Sequence, residues 1–304
     1  MKVLITGATG LVGASLVAVY KKHGIPVHYL STSKKKIITT KEYSGFYWNP
    51  ETGEIDLRCF EGVTAVINLA GATIAQRWTK TNKEQILKSR TQSLRTLHNA
   101  LSSIDGGMVQ SFVSASAIGI YPNSISALYA EDNPEVDASF LGDVVAAWEQ
   151  EIQRFNSFLF HVATVRIGLV MSTEGGALPE MAKPISYGLG AAFGSGKQWQ
   201  SWIHIHDLSR LFFFVQQQEL SGVFNGVAPN PVTNYKLVKE IAKQLKKPLF
   251  MPNIPRVVMR LILGEMSYLL FASQRVSCSK ILEEGFQFKY SNVTAALQKL
   301  YPKE

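Results

Sequence analysis

The sequence predicts an α/β protein: a doubly wound parallel sheet with a smaller, mostly C-terminal part serving as substrate or lid region. Three observations carry this. Strand-like and helix-like stretches alternate from residue 1 to about residue 170, and repeated strand–helix units imply right-handed crossovers with helices on both sheet faces. The opening apolar run breaks into glycines at positions 7, 10 and 13, then resumes as a helical pattern. After Gly168 the texture changes to glycine-rich loops, an aromatic tract and then largely helical sequence. Residues 1–170 are therefore expected to form a dinucleotide-binding domain of Rossmann type. Residues 201–228 are expected to return to it, and 171–304 to be mainly substrate or lid region.

The elements follow in order. Lys2-Val-Leu-Ile-Thr6 reads as the first strand, and Ala14 to Lys22 as the helix behind it. Val27–Leu30 is a second strand, and Ala65–Leu69 a buried one ending in Ala70-Gly71. Lys83–Leu101 has helical spacing, with Ile86, Leu87, Leu94, Leu97 and Leu101 on one side. Ser111–Ser114 is a strand, Val144–Phe155 a helix and His161–Arg166 a strand. Beyond Gly175-Gly176 and the loop from Gly188 to Gly196 come the tract Trp202-Ile-His-Ile-His-Asp207 and a helix through Leu211–Val215. Phe224–Val227 reads as a strand and Pro229-Asn-Pro231 as a turn.

Composition narrows the class. The 304 residues are 46% hydrophobic, enough for one large domain or one and a half. Cys59 and Cys278 stand far apart and make no disulfide framework, so a reducing compartment fits. Met1-Lys2 runs straight into the first strand, and the cytoplasm is the expected location. The most membrane-like stretch, Val257–Ala272, is interrupted by Arg260 and Glu265 and reads as an amphipathic or buried helix. Net charge is +8, with lysines in small clusters such as Lys34-Lys35-Lys36. That suits an anionic cofactor, but it is no nucleic-acid footprint. Neither nucleic acid nor membrane is the expected partner.

The strand–turn–helix with three glycines is a phosphate-binding device. Gly7 allows the turn, Gly10 lets the backbone approach a pyrophosphate, and Gly13 lets the helix pack on the strand. The helix N-terminus offers N–H groups and partial positive charge to the phosphates. An acidic residue at the end of the second strand would bind the ribose 2′-OH of NAD. Here that place reads Leu30-Ser31-Thr32-Ser33-Lys34-Lys35-Lys36. Hydroxyls and ammonium groups there favour a 2′-phosphate, so the expected cofactor is NADP(H).

By Ala65-Val-Ile-Asn-Leu-Ala-Gly71 and Ser114-Ala-Ser-Ala-Ile-Gly-Ile-Tyr121 the chain resembles the extended short-chain dehydrogenases/reductases, the group that includes nucleotide-sugar epimerases. Further tracts, in order, narrow the likeness: Ala147-Trp-Glu149, Arg166-Ile-Gly-Leu-Val170, Gly194-Ser-Gly-Lys-Gln-Trp199, Asn225-Gly-Val-Ala-Pro-Asn-Pro-Val232 and Gly285-Phe-Gln-Phe288. They resemble the atypical "epimerase family" branch over nearly the whole chain. The resemblance implies that Gly7, Thr9, Gly10, Leu11, Val12 and Gly13 wrap the pyrophosphate and that Ser31 and Thr32 sit at the 2′-phosphoribose. It further implies that Leu69, Ala70 and Gly71 line the adenine and ribose channel, that Arg90 faces the cofactor, and that Gly168 follows the strand bordering the nicotinamide. A small-molecule substrate is implied, a carbonyl compound or a nucleotide sugar. Nothing in the sequence fixes an oligomeric state.

Hydride transfer in that superfamily uses a tyrosine with a lysine four residues on, and a serine that holds the substrate carbonyl. Ser116 is the expected serine, with Ser114 second. Counting back from Glu149, the Tyr and Lys positions hold Leu141 and Val145. Tyr235-Lys-Leu-Val-Lys239 has the spacing but opens a C-terminal helix, and it reads as coincidence. Substitute acid/base candidates are Tyr121 and His204, each with an alternative as a packed, hydrogen-bonded residue. His204, His206 and Asp207 lack a further ligand at motif spacing, so no metal is expected. Two functions remain: an NADP(H)-dependent oxidoreductase or epimerase-like enzyme with non-standard acid/base groups, or a catalytically silent NADPH-binding sensor or regulatory module.

Overall fold

The computed structural model describes residues 1–104 and 106–302. Its strands and main helices run in chain order as β1 (Val3–Thr6), α1 (Leu11–Lys22), β2 (Val27–Ser31), β3 (Tyr43–Asn49), β4 (Glu54–Ile55), β5 (Ala65–Asn68) and α2 (Lys80–Ser103). Then follow β6 (Ser111–Ala117), β7 (Leu128–Tyr129), α3 (Phe140–Gln153), β8 (His161–Ile167), β9 (Leu169–Met171) and α4 (Ala177–Ser186). β10 (Trp199–Gln200), β11 (Trp202–His204), α5 (Ile205–Gln217), β12 (Gly222–Gly226), β13 (Val232–Thr233), α6 (Asn234–Gln244) and α7 (Arg256–Leu263) complete the part that shapes the site.

The main sheet has eight strands in the order β12-β8-β6-β5-β1-β2-β3-β4. Every pair is parallel except β3–β4, an antiparallel edge hairpin. Helices α1 and α5 pack together, as do α2 and α3, giving the doubly wound arrangement. The order reverses between β1 and β5, so a crevice opens beyond their C-terminal ends, where open α/β sheets bind ligands.

Burial explains the strands. Val3–Thr6 and Ala65–Asn68 are buried at every position, as strands covered on both faces must be. β3 has no counterpart in the sequence reading: glycine at position 45 and half-buried flanks weaken its pattern, yet it pairs along β2 from Val27 to Ser31. Gly45 is required there, because a Cβ would stand 2.4 Å from the Tyr29 ring.

A second apolar cluster, including Met171, Leu178, Ile185, Trp202, Leu237, Ile241 and Leu297, lies apart from the cluster around the main sheet. A third and smaller one joins Trp78, Ile86, Leu141 and Val144 to partly buried Phe140, Met266, Tyr268 and Leu269. The stretch expected as one helix over Val257–Ala272 is broken. Gly264 takes φ +63°, so α7 ends and a 3₁₀ turn, Gly264–Ser267, leads into a short helix, Tyr268–Phe271. No residue of α7 is buried.

Candidate functional site at the sheet switch point

The glycine loop is shaped by three different constraints. Gly7 has φ +67°, and a Cβ there would lie 2.7 Å from the Leu69 carbonyl oxygen. At Gly13 a Cβ would fall 2.1 Å from the Gly7 oxygen, so α1 sits hard against the loop. At Gly10 only the Gly7 oxygen, at 3.3 Å, comes near a Cβ, and the residue is exposed. Two glycines are thus demanded by packing, while the third, exposed, meets a single tight backbone contact. Thr79, Ser139 and Thr233 each cap the helix that follows them, α2, α3 and α6, through a side-chain oxygen. α1 has no side-chain cap and no acidic residue in its first turn. Its leading N–H groups and dipole therefore remain available to an anion, and this cradle fits a pyrophosphate.

The other expected cofactor residues lie in this loop, in α1 and at or after the C-terminal ends of β2, β5 and β8, with Arg90 on α2. Thr9 is exposed in the loop; Leu11 and Val12 are half-buried, and Leu11 touches the Gly175-Gly176 turn before α4. Thr6 Oγ1 accepts from the Leu69 and Ala70 N–H groups and donates to Asn68 Oδ1, and Asn68 donates to Ser114 Oγ. This buried chain pins the ends of β1, β5 and β6. At the end of β2, Ser31 Oγ bonds both the N–H and the C=O of Ser33, folding the turn, while Thr32 and Lys34–Lys36 are exposed. Gly168 is demanded by packing: a Cβ would lie 2.4 Å from the Ser201 oxygen.

Arg90 lies directly under Gly71, where a Cβ would sit 3.2 Å from the guanidinium carbon. Its Nη1 donates to the Ala72 and Ile86 carbonyls at 3.1 and 2.9 Å, and the group stacks on Trp148. Burial lowers its pKa to about 10. Among the described residues no carboxylate pairs with it. A cation kept from water without a counter-charge is costly, and an anion at the crevice floor would relieve that cost.

The three acid/base and orienting candidates are already engaged. Ser116 Oγ donates to Glu149 at 2.6 Å. Glu149 forms a two-pronged pair with Arg166 (2.9 and 2.8 Å), and Arg166 donates to the Tyr121 hydroxyl at 2.9 Å. Tyr121 is fully buried and donates to Asn225 Oδ1 at 2.8 Å; burial pushes its pKa up. Glu131 Oε1 accepts from the Asn225 N–H, which spends that carboxylate too. The result is a closed polar network joining β6, α3, β8 and β12. His204 is 1% exposed and stacks on Tyr290, and its Nδ1 accepts from the His206 N–H, capping α5. Burial, then the charges of His206, Lys299 and Lys289, lower its pKa to about 4. Asp207 is taken up by Arg210 and the Lys289 and Tyr290 N–H groups. For Tyr121 the alternative role as a packed, bonded residue is the one the geometry fits; His204 is packed and bonded at Nδ1, while its buried Nε2 has no partner among the described residues.

Leu141 and Val145 are buried and apolar, with Gly119 facing them. Beside Leu141 packs Tyr268, whose hydroxyl bonds both oxygens of Asp137 at 2.9 Å. Burial and the Asp137 carboxylate raise the Tyr268 pKa to about 12. Tyr268 lines a cleft of about 340 Å³ with Trp78, Phe140, Arg256 and Arg260. A second cleft, of about 600 Å³, shares Asn123, Arg256 and Phe271 with it. Sequence reasoning missed Tyr268 and Asp137, which lie 131 positions apart. Tyr235 is half-exposed on α6, against the Gly196 turn.

A doubly wound sheet with an uncapped glycine turn at its switch point defines a protein with a Rossmann-type dinucleotide-binding fold. The profile of the NAD dependent epimerase/dehydratase family matches residues 3–225, and a domain of unknown function (DUF1731) matches residues 254–300. The chain belongs to the NAD dependent epimerase/dehydratase family. Epimerase family protein SAR0825 of Staphylococcus aureus is 38% identical over 301 residues, 99% of each chain. Among solved structures, the human epimerase family protein SDR39U1 with NADPH is similar at TM-score 0.85 and 27% identity, covering 99% of both chains. A nucleoside-diphosphate sugar epimerase from Corynebacterium glutamicum is similar at TM-score 0.79 and 27% identity, over 99% of this chain and 58% of that one.

Proposed function

We propose that the protein binds NADP(H) in the switch-point crevice and acts as an oxidoreductase or epimerase-like enzyme on a carbonyl compound or nucleotide sugar. The observation that carries this is the uncapped α1 N-terminus over Gly10, an anion cradle, together with a half-buried Arg90 under Gly71 that pairs with no carboxylate among the described residues. The Ser31–Lys36 turn, with hydroxyls and ammonium groups and no acid, supports the phosphorylated cofactor. The NADPH in the human structural relative supports it as well. Held by Gly7–Gly13 and the α1 N-terminus, the cofactor would supply hydride chemistry at the substrate carbon. The chain's own residues then bind the phosphates, exclude water and move one proton at the substrate oxygen. Ser116 and Tyr121 hold the frame through Glu149 and Arg166, and His204 holds α5. Proton transfer falls to Tyr268, which its raised pKa keeps protonated, while Arg256 and Arg260 face the substrate cleft as counter-charges for an anionic group.

The test is a fluorescence titration with NADPH and NADH, followed by stopped-flow mixing of loaded protein with carbonyl compounds and sugar nucleotides. Thr32→Asp should weaken NADPH at least about tenfold. Tyr268→Phe should remove turnover and spare NADPH binding. A specific observation favours a second reading, a catalytically silent NADPH sensor: leucine and valine stand where proton chemistry is usual. That reading predicts unchanged cofactor with every substrate and a partner whose capture depends on NADPH.

A further inference from the structure

Helix α7 is apolar where it meets solvent. Val257, Val258, Leu261 and Ile262 are 69%, 42%, 78% and 61% exposed, and they fall together on one face. Half-buried Met259 and Leu263 turn inward on the opposite side, while Arg256 and Arg260 flank the clefts. A helix apolar on both its inner and outer faces belongs in a covered position, yet this one lies on the surface. It is firmly held there. Ile254 and Gly194 exchange backbone bonds with the 192–194 loop and the α7 leader, and Glu265 just after α7 pairs with Lys83. Upstream, Phe250 and Met251 are 70% and 39% exposed.

Charge identifies the occupant. Between Glu240 and Glu265 the sequence holds Lys243, Lys246, Lys247, Arg256 and Arg260 and no acidic residue. All five cations are exposed, and none is paired with a carboxylate among the described residues. A second copy on a two-fold axis would set this cationic segment against itself, which like-charge repulsion opposes. An anionic lipid surface satisfies both halves of the pattern: the apolar face of α7 enters the headgroup boundary, and Lys243, Lys246 and Lys247 of the segment leading to it meet the lipid charge, while Arg256 and Arg260 face the clefts. No helix among the described residues is long and apolar enough to cross a membrane, so such association is peripheral.

We propose that α7 and the basic segment leading to it dock the protein reversibly on anionic lipid surfaces. Resting on the exposed apolar face and the three lysines, this reading is independent of the reaction, and it departs from the sequence-based expectation that membranes are not a partner. The test is flotation of the full-length protein with vesicles of phosphatidylcholine alone and of phosphatidylcholine with phosphatidylglycerol, at low and high salt. The wild type should float with the anionic vesicles, weaken with salt, and ignore the neutral ones. Leu261→Glu with Ile262→Glu should abolish flotation, and Lys246→Glu with Lys247→Glu should weaken it, by about fivefold per cation removed. Both variants alter exposed positions, so their urea unfolding midpoints should match the wild type. Failure of the wild type to float, or flotation unchanged in the Leu261/Ile262 variant, overturns the proposal. So does a concentration-dependent dimer that this variant abolishes, which would make a second copy the occupant.

Discussion

The crevice over Gly10 and the corner around Tyr121 are built from opposite materials. The crevice is backbone and glycine, with an uncapped helix end and a half-buried arginine that no carboxylate answers among the described residues. The corner is side chain on side chain, with Ser116, Glu149, Arg166, Tyr121 and Asn225 bonded to one another away from water. Unmet hydrogen-bonding capacity marks where a ligand is to bind, and a fully met network marks where the frame is to stay fixed. The same fold thus leaves one helix end uncapped and closes the polar network around Tyr121.

That contrast can be broken at the corner first. Glu149→Ala leaves Arg166 buried and unpaired and should cost about 3–5 kcal/mol, read from urea unfolding. NADPH affinity should survive in whatever fraction folds. The glycines sharpen the contrast within the crevice. Gly13→Ala should destabilise by about 3 kcal/mol because its Cβ collides with fixed backbone. Gly10→Ala, which must displace only the Gly7 oxygen by a few tenths of an ångström, should cost clearly less stability than Gly13→Ala and should lower NADPH affinity.

His204 gives a pH test. Its folded pKa of about 4 lies below the ordinary 6.5, so the histidine is neutral in the fold and charges more readily when unfolded. The stability it contributes is complete above pH 6.5 and is lost as pH falls toward 4. Urea unfolding at pH 7 and pH 5 should show a loss of about 2 kcal/mol that His204→Asn, which can still cap α5, does not show. A further test of the corner is Tyr121→Phe. It removes bonds to Arg166 and Asn225 and should cost about 1–3 kcal/mol, with no change in the pH profile of any turnover.

The crevice was legible in the sequence because its parts are local. Glycines at three-residue spacing and the missing acid after Leu30 are read along one strand–turn–helix. The buried strands were legible for the same reason, since apolar runs such as Val3–Ile5 and Ala65–Ile67 need both faces covered. β3 was not, because its half-buried positions and Gly45 follow no clean alternation. Nor was the closed network, in which Tyr121 meets Asn225 across 104 positions, or the Tyr268–Asp137 pair across 131. Such contacts are set by strand order and have no signature in spacing. The break at Gly264 was visible as a residue, but its positive φ is a property of the folded chain.

The most direct measurement is the NADPH dissociation constant of the wild type and of Gly10→Val, each with its urea unfolding midpoint. The open-crevice reading predicts micromolar or tighter NADPH binding, at least about tenfold weaker NADH, and loss of binding in Gly10→Val at a midpoint near that of the wild type. Equal affinity in wild type and Gly10→Val, or no binding of either nucleotide, would contradict it.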